Sequence, residues 1–286
     1  RFCMDLCNIN DIKALLARHG FHFSKSMGQN FLIEDWVPRD IADAAGLDAA
    51  CGALEIGPGI GPLTVQLAQR AGRVAAVELD RSLLPILSET LADYANAEVI
   101  PGDAMKLDLP ALCAEKFPGM TVKACANLPY NITTPVLTKL LESGCFASIT
   151  VMIQREVARR ICAAPGTADY GAFSLFCQYH AECSLLFDVG PECFLPAPKV
   201  TSTVIQLVPR AEPPVDADPA ALFRVVRAAF AQRRKTLLNG LSAAYGSKFS
   251  KDDLRQIIKD CGLPEGIRGE RLGLPEFAAL AKKLEA

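Results

Sequence analysis

The sequence predicts an α/β protein: a doubly wound, Rossmann-like sheet behind an N-terminal arm, followed by a small all-helical C-terminal domain. Three observations predict it. Short β-rich runs alternate with amphipathic stretches across residues 52–209, a glycine-rich turn follows the first run, and a proline-rich, acidic segment at 209–219 precedes a purely helical tail.

Gly52-Ala53-Leu54-Glu55-Ile56 reads as a buried first strand, with a helix from about 63 to 71 after its glycine turn. Val74-Ala75-Ala76-Val77-Glu78 is the second strand, and Ser82 is placed to cap the helix that follows. Residues 98–100, 122–126 and 149–153 continue the series. Strands alternating with helices of this length build a parallel sheet with right-handed crossovers. Residues 184–187 and 200–207 leave no room for a helix between them, so they are expected to form an antiparallel pair at the sheet edge. Beyond the linker, helices are expected at 220–231, 234–244, 251–261 and 275–284. The domains are therefore placed at 1–210 (arm and sheet) and 211–286 (helical).

A chain of 286 residues, half of them hydrophobic, can bury one large core and a satellite. No apolar run is long enough to span a bilayer and no signal-peptide pattern opens the chain, so a cytoplasmic, membrane-free monomer is expected. The first residue is Arg1, so the natural start is expected to be trimmed or to lie upstream. The 11 cysteines are scattered through apolar runs, without a Cys-x-x-Cys and with only three histidines; reduced, buried thiols and no metal are expected. Their closest pairing is Cys3 with Cys7. A net charge of −2 gives no global sign of a nucleic-acid partner, so the local distribution of charge has to decide.

Glu55-Ile56-Gly57-Pro58-Gly59-Ile60-Gly61 lies at the first strand-to-helix turn, where glycines allow a sharp turn and a close ligand. A dinucleotide fingerprint needs its third glycine where Pro62 stands. Gly-x-Gly-x-Gly opened by an acid favours S-adenosylmethionine instead, with Gly57 and Gly59 against it. Glu78 ends the second strand at the interval suited to ribose hydroxyls, and Asp103 follows the third strand, where it can accept from the adenine amine. Either acid alone would be an ordinary solvated or turn residue; their series at strand ends makes them cofactor-binding.

Asn127-Leu128-Pro129-Tyr130 follows the fourth strand, beside the expected methyl donor. An exocyclic adenine amine is a poor nucleophile because its lone pair is delocalised into the ring. Acceptance of both amine hydrogens, by the Asn127 side-chain oxygen and the Leu128 carbonyl, draws the nitrogen toward tetrahedral geometry and aims its lone pair. Pro129 fixes the backbone, and Tyr130 offers a stacking face.

The chain resembles the ribosomal RNA adenine dimethyltransferases nearly end to end. The resemblance rests on Gly28-Gln29-Asn30-Phe31-Leu32, the glycine loop, residues 127–135 (NLPYNITTP), Gln154-Arg155-Glu156-Val157-Ala158, residues 194–202 (FLPAPKVTS) and Arg233-Arg234-Lys235-Thr236-Leu237. It implies the S-adenosylmethionine-dependent methyltransferase fold and transfer of four methyl groups to two adjacent adenosines in the 3′-terminal hairpin loop of 16S rRNA. The partner implied is the immature small ribosomal subunit, with a role in its biogenesis. It also implies that Asn30 and Leu32 close over the cofactor, that Asn127 touches cofactor and base, and that Phe194 offers an aromatic face opposite Tyr130. Arg155 stands where a lysine is more usual. Given an RNA substrate, Arg155, Arg159 and Arg160 on one helix, Arg233, Arg234 and Lys235 before another, and Lys199 near the site become phosphate contacts rather than solvated surface. The nearest alternative keeps the chemistry and changes the substrate, to the macrolide-resistance type of large-subunit rRNA methylase. A nicotinamide-dependent dehydrogenase is disfavoured by the glycine spacing.

Overall fold

The computed structural model describes residues 4–23, 28–232 and 234–285, which leaves Cys3 and Arg233 outside the described residues. Contacts divide the chain into two compact units, Arg1–Ala158 with Cys183–Pro209, and Arg159–Glu182 with Arg210–Ala286. The helical tail's unit thus also takes in residues that precede position 210.

In the first unit, Asn8 caps helix α1 (Ile9–Arg18) by accepting from the Asn10 and Asp11 amides. After β1 (Phe31–Leu32) and α2 (Trp36–Ala44), chain order runs β2 (Cys51–Ile56), α3 (Pro62–Ala68), β3 (Arg73–Glu78), α4 (Leu84–Thr90), β4 (Ala97–Pro101), α5 (Leu109–Lys116), β5 (Thr121–Asn127), α6 (Thr133–Ser143) and β6 (Ser148–Gln154). After α7 (Arg155–Ile161) and α8 (Ala172–His180) come β7 (Ala181–Val189), β8 (Phe194–Leu195) and β9 (Ser202–Pro209). The main sheet has the order β4-β3-β2-β5-β6-β9-β7. The β4-β3-β2-β5-β6 pairs are all parallel and β9 is antiparallel to β6.

All six residues of β2 are buried, including Glu55. That continuous burial is what a parallel strand with both faces covered requires, and it explains the unbroken apolar runs. One core layer gathers Val37, Ile41, Leu63 and Leu67 from α2 and α3 against Ala53, Val74, Cys125 and Met152 of the sheet. Burial of each large aliphatic side chain contributes roughly 1.5–3 kcal/mol. The strand order reverses between β2 and β5, and strand carboxyl ends beside such a reversal are where open α/β sheets bind ligands.

The expected strands are present, and β7 and β9 lie side by side at the sheet edge. The helix after β3 starts differently from expectation. Asp80, not Ser82, caps the 3-10 turn Arg81–Leu83, because its carboxylate accepts both the Ser82 amide (2.9 Å) and the Ser82 hydroxyl (2.6 Å). A charged acceptor two residues upstream outcompetes the hydroxyl.

The second unit carries α8 and the tail helices α9 (Pro219–Phe230), α10 (Leu237–Tyr245), α11 (Lys251–Asp260) and α12 (Leu274–Leu284). Three of these helices start on a capping side chain. Asp218 caps α9, Thr236 caps α10, and Ser250 forms a reciprocal box with Asp253 on α11. α10 begins three residues later than expected, because Thr236 is the cap and leaves Arg234 and Lys235 in the preceding turn. Tyr170, Leu175 and Tyr179 share a core with Leu222, Val225, Leu241 and Phe277, which holds residues 159–182 in this unit. The Tyr170 hydroxyl donates to the Leu272 carbonyl at 2.7 Å. Among the described residues no helix is long and apolar enough to cross a membrane.

Candidate active site

One cavity of the first unit opens where β2, β3, β4 and β5 end. Its wall contains Asn30, Leu32, Gly57, Gly59, Glu78, Asp103, Asn127, Leu128, Pro129, Tyr130 and Phe194. Every candidate cofactor and catalytic residue therefore meets at one place, although they span most of the unit's length.

The glycine turn makes this possible. Gly57, Gly59 and Gly61 have φ of +71°, +60° and +100°, in the left-handed region where a side chain is strained. The Gly57 amide donates to the Val77 carbonyl at 3.0 Å, which ties the turn to the end of β3. Pro62 then occupies the first turn of α3, where its missing N–H costs nothing. A Cβ on Gly59 would stand 3.4 Å from the Phe31 ring, so this glycine also lets the arm close over the turn.

Four carboxylates line the cavity, Glu55, Glu78 and Asp103 near successive strand ends and Asp80 two residues past β3. Glu55 is 1% exposed and accepts from the Thr64 hydroxyl at 2.5 Å. Burial pushes its carboxyl from 4.5 up to about 8, the Thr64 hydrogen bond opposes that rise, and Glu78 adds to it. Glu78 is also buried, and burial raises it, against the amide of Asp80, which donates to its Oε1 at 2.7 Å. Asp103 accepts from the Met105 amide at 2.9 Å, which closes the turn after β4.

Asn127 is the last residue of β5, opposite Met152 of β6, and the Leu128 amide donates to the Met152 carbonyl at 3.1 Å. The sheet thus continues one residue past the strand and holds this segment rigidly. Neither the Asn127 side chain nor the Leu128 carbonyl has a hydrogen-bond partner among the described residues. Two acceptors in a cavity wall without internal partners are available to a ligand. Tyr130 is fixed by a 2.7 Å hydrogen bond between its hydroxyl and that of Ser202, the first residue of β9. Burial raises its phenol, so the ring stays neutral as a stacking surface.

The arm reaches the cavity by two routes. Leu32 pairs with Phe194 in the small β1–β8 ladder, with both side chains buried, so these two candidate residues are held by each other's backbone. Gln29 donates to Asp80 Oδ2 at 2.7 Å. The sequence alone gives Gln29, Asp80 and Glu55 no individual role. Gln29 lies in the Gly28–Leu32 segment and Asp80 two residues beyond Glu78, but their pairing spans 51 residues and has no local signal.

The basic residues lie elsewhere, and none lines the cavity. Arg155 opens α7 in the first unit, exposed and 3.7 Å from Asp188, and Lys199 is exposed in the segment before β9. In the second unit Arg159 and Arg160 form the exposed last turn of α7, and Arg234 and Lys235 the exposed turn before α10. Arg233 falls outside the described residues. The described cysteines are free thiols, and no group of three or more His, Cys, Asp or Glu among the described residues could hold a metal.

The model of the family described as ribosomal RNA adenine dimethylase matches residues 20–261. The ribosomal RNA small subunit methyltransferase A of Alkaliphilus metalliredigens is 46% identical over 96% of this chain and 96% of its own length. That of Geobacillus sp. strain WCH70 is 45% identical over 98% of each. Among solved structures, a dimethyladenosine transferase from Plasmodium falciparum superposes with a TM-score of 0.74 at 24% identity, over 89% of this chain and 97% of that one, which shows the shared fold. The 23S rRNA methyltransferase ErmE superposes with a TM-score of 0.68 at 26% identity, over 90% of this chain and 100% of that one.

Proposed function

The chain belongs to the ribosomal RNA adenine dimethylase family, and we propose that it dimethylates the N6 amines of two adjacent adenosines in the 3′-terminal hairpin loop of 16S rRNA, within the immature small subunit. The observation that carries the chemistry is a pair of acceptors without partners among the described residues, the Asn127 side chain and the Leu128 carbonyl, in one cavity with strand-end acids. The cavity fits S-adenosylmethionine by its donor set: glycine backbone at Gly57 and Gly59, Glu78 for ribose hydroxyls, Asp103 for the adenine amine, and Asn30 and Leu32 on the arm. When bound, that molecule supplies an already activated methyl on a sulfonium, so the reading includes no metal.

The protein's share is positioning. Asn127 and the Leu128 carbonyl accept the two amine hydrogens and aim the nitrogen's lone pair. The Met152 contact holds the backbone that carries both acceptors, so the Leu128 carbonyl needs no reorganisation during transfer. Tyr130, braced by Ser202, and Phe194, braced by Leu32, give the base its two apolar walls. After a first transfer the amine keeps one hydrogen, so one of the two acceptors must be released for the second. The basic residues grip phosphates around the loop, and extrusion of an unpaired loop adenine costs less than from a duplex. The same grip on an immature subunit supports a role in biogenesis, and the chain acts in this reading as a cytoplasmic monomer.

The substrate rests on the small-subunit relatives at about 46% identity against 26% for the 23S enzyme. The test is methyl transfer from S-adenosylmethionine to isolated small and large subunits, with the modified base mapped by mass spectrometry. Dimethyladenosine at adjacent positions of 16S rRNA is expected; label in 23S rRNA alone would sink the proposal.

A further inference from the structure

We propose that Lys139, on α6, is a positioning residue for the cofactor's adenine, acting through the turn that carries Asp103. This rests on the cofactor reading of the cavity given above. The turn after β4 is folded on Asp103 itself: its side chain accepts from the Met105 amide at 2.9 Å, and its carbonyl accepts from the Lys106 and Leu107 amides at 2.9 and 3.2 Å. At the far edge, the Gly102 amide donates to the Glu78 carbonyl at 2.9 Å. These contacts make the turn compact, and none of them uses the Met105 or Leu107 carbonyl.

Lys139 captures both. Its Nζ donates to the Met105 carbonyl at 2.7 Å and to the Leu107 carbonyl at 2.5 Å. No carboxylate forms an ion pair with this ammonium among the described residues, so its hydrogen-bonding capacity goes to the turn. An ordinary surface lysine keeps its ammonium in water; one that spans two carbonyls of one turn fixes that turn's distance from the helix. The helix in question starts immediately after the Tyr130–Ile132 turn, so the element that follows the base-presenting segment also sets where Asp103 stands. Met105 lines the cavity as well, and its position depends on the same clamp.

The test uses the full chain with S-adenosylmethionine and small subunits. Lys139→Met keeps the apolar stem and removes the donors; Lys139→Arg restores them. Lys139→Met is expected to raise the Kd and KM for S-adenosylmethionine about tenfold, the worth of one charge-assisted hydrogen bond. The kcat should stay within about twofold of the parent, since the base site is untouched. Lys139→Arg should recover most of the affinity. In an Asp103→Ala background the Lys139→Met change should cost less than about twofold, because the contact it positions is already gone. Unchanged affinity in Lys139→Met, an equal loss in both backgrounds, or no recovery with arginine overturns the proposal. A parent chain with no affinity for S-adenosylmethionine overturns the cofactor reading itself, and this inference with it.

Discussion

Asn127 is held by strand pairing on its backbone side, and its side-chain amide has no hydrogen-bond partner among the described residues. Removal of the amide therefore deletes one acceptor for the substrate amine without disturbing the sheet. Asn127→Ala is expected to lower methyl transfer about 100- to 1,000-fold, in line with loss of one preorganised polar contact, while subunit binding measured by co-sedimentation persists. Loss of subunit binding in this variant would mean that the residue is structural. Glu55 carries a second expectation at this scale. Its carboxyl titrates near 8 in the folded chain and near 4.5 when exposed, so folding takes up a proton between those values. Stability should therefore be highest below about pH 4.5 for this group and fall as pH rises toward 8, by up to about 1.4 kcal/mol per pH unit. Glu55→Gln keeps an acceptor for Thr64 and has no charge to bury. Its thermal midpoint should exceed the parent's at pH 8, and the difference should shrink toward pH 5; the same pH slope in both chains would contradict this. The cavity's residues were legible in sequence to the extent that they sit at strand ends, where one periodic pattern fixes many positions. What stayed hidden depends on tertiary approach: the Gln29–Asp80 pair, the desolvation of Glu55, and the reach of Lys139 across to Met105.

Elements meet their neighbours through shape, and α9 against α10 shows how closely. A Cβ on Gly240 of α10 would fall 2.5 Å from the Ala228 carbonyl of α9, far inside contact distance and against backbone that cannot swing aside. Two effects oppose each other in Gly240→Ala. Helix propensity favours alanine by about 1 kcal/mol, while forcing two packed helices apart costs roughly 1–3 kcal/mol. The clash should win, with the denaturation midpoint of the second unit lowered and S-adenosylmethionine affinity, a property of the first unit, unchanged. A raised midpoint would show that the helices slide apart without cost. The strands were readable because β2, β3 and β6 are buried along nearly their whole length and so appear as largely apolar runs. Helix starts were less so: Asp80 and Ser82 are both good caps, and only the geometry after β3 decides between them. Residues 159–182 carry no boundary signal of their own. Their place follows from Tyr170 and Tyr179 entering the tail's core.

For the whole molecule the question is how a chain of net charge −2 grips a polyanion. Net charge governs long-range behaviour, but salt screens beyond about 8–10 Å, so binding is decided by cations that reach individual phosphates. Exposed basic side chains occur in both units, at Arg155 and Lys199 in one and at Arg159, Arg234 and Lys235 in the other. The turn before α10 offers the cleanest test, because Thr236 caps the helix without help from the cations and neither cation lines the cavity. The double change Arg234→Ala with Lys235→Ala should leave S-adenosylmethionine affinity within about twofold and weaken small-subunit binding. If each side chain meets one phosphate, the slope of log K against log salt concentration should become shallower by about 1 per contact removed, so by about 2. Weaker binding with an unchanged slope would mean that the turn contributes shape rather than charge. An unchanged affinity would return both residues to ordinary solvated surface and leave the RNA grip to the α7 cations and Lys199.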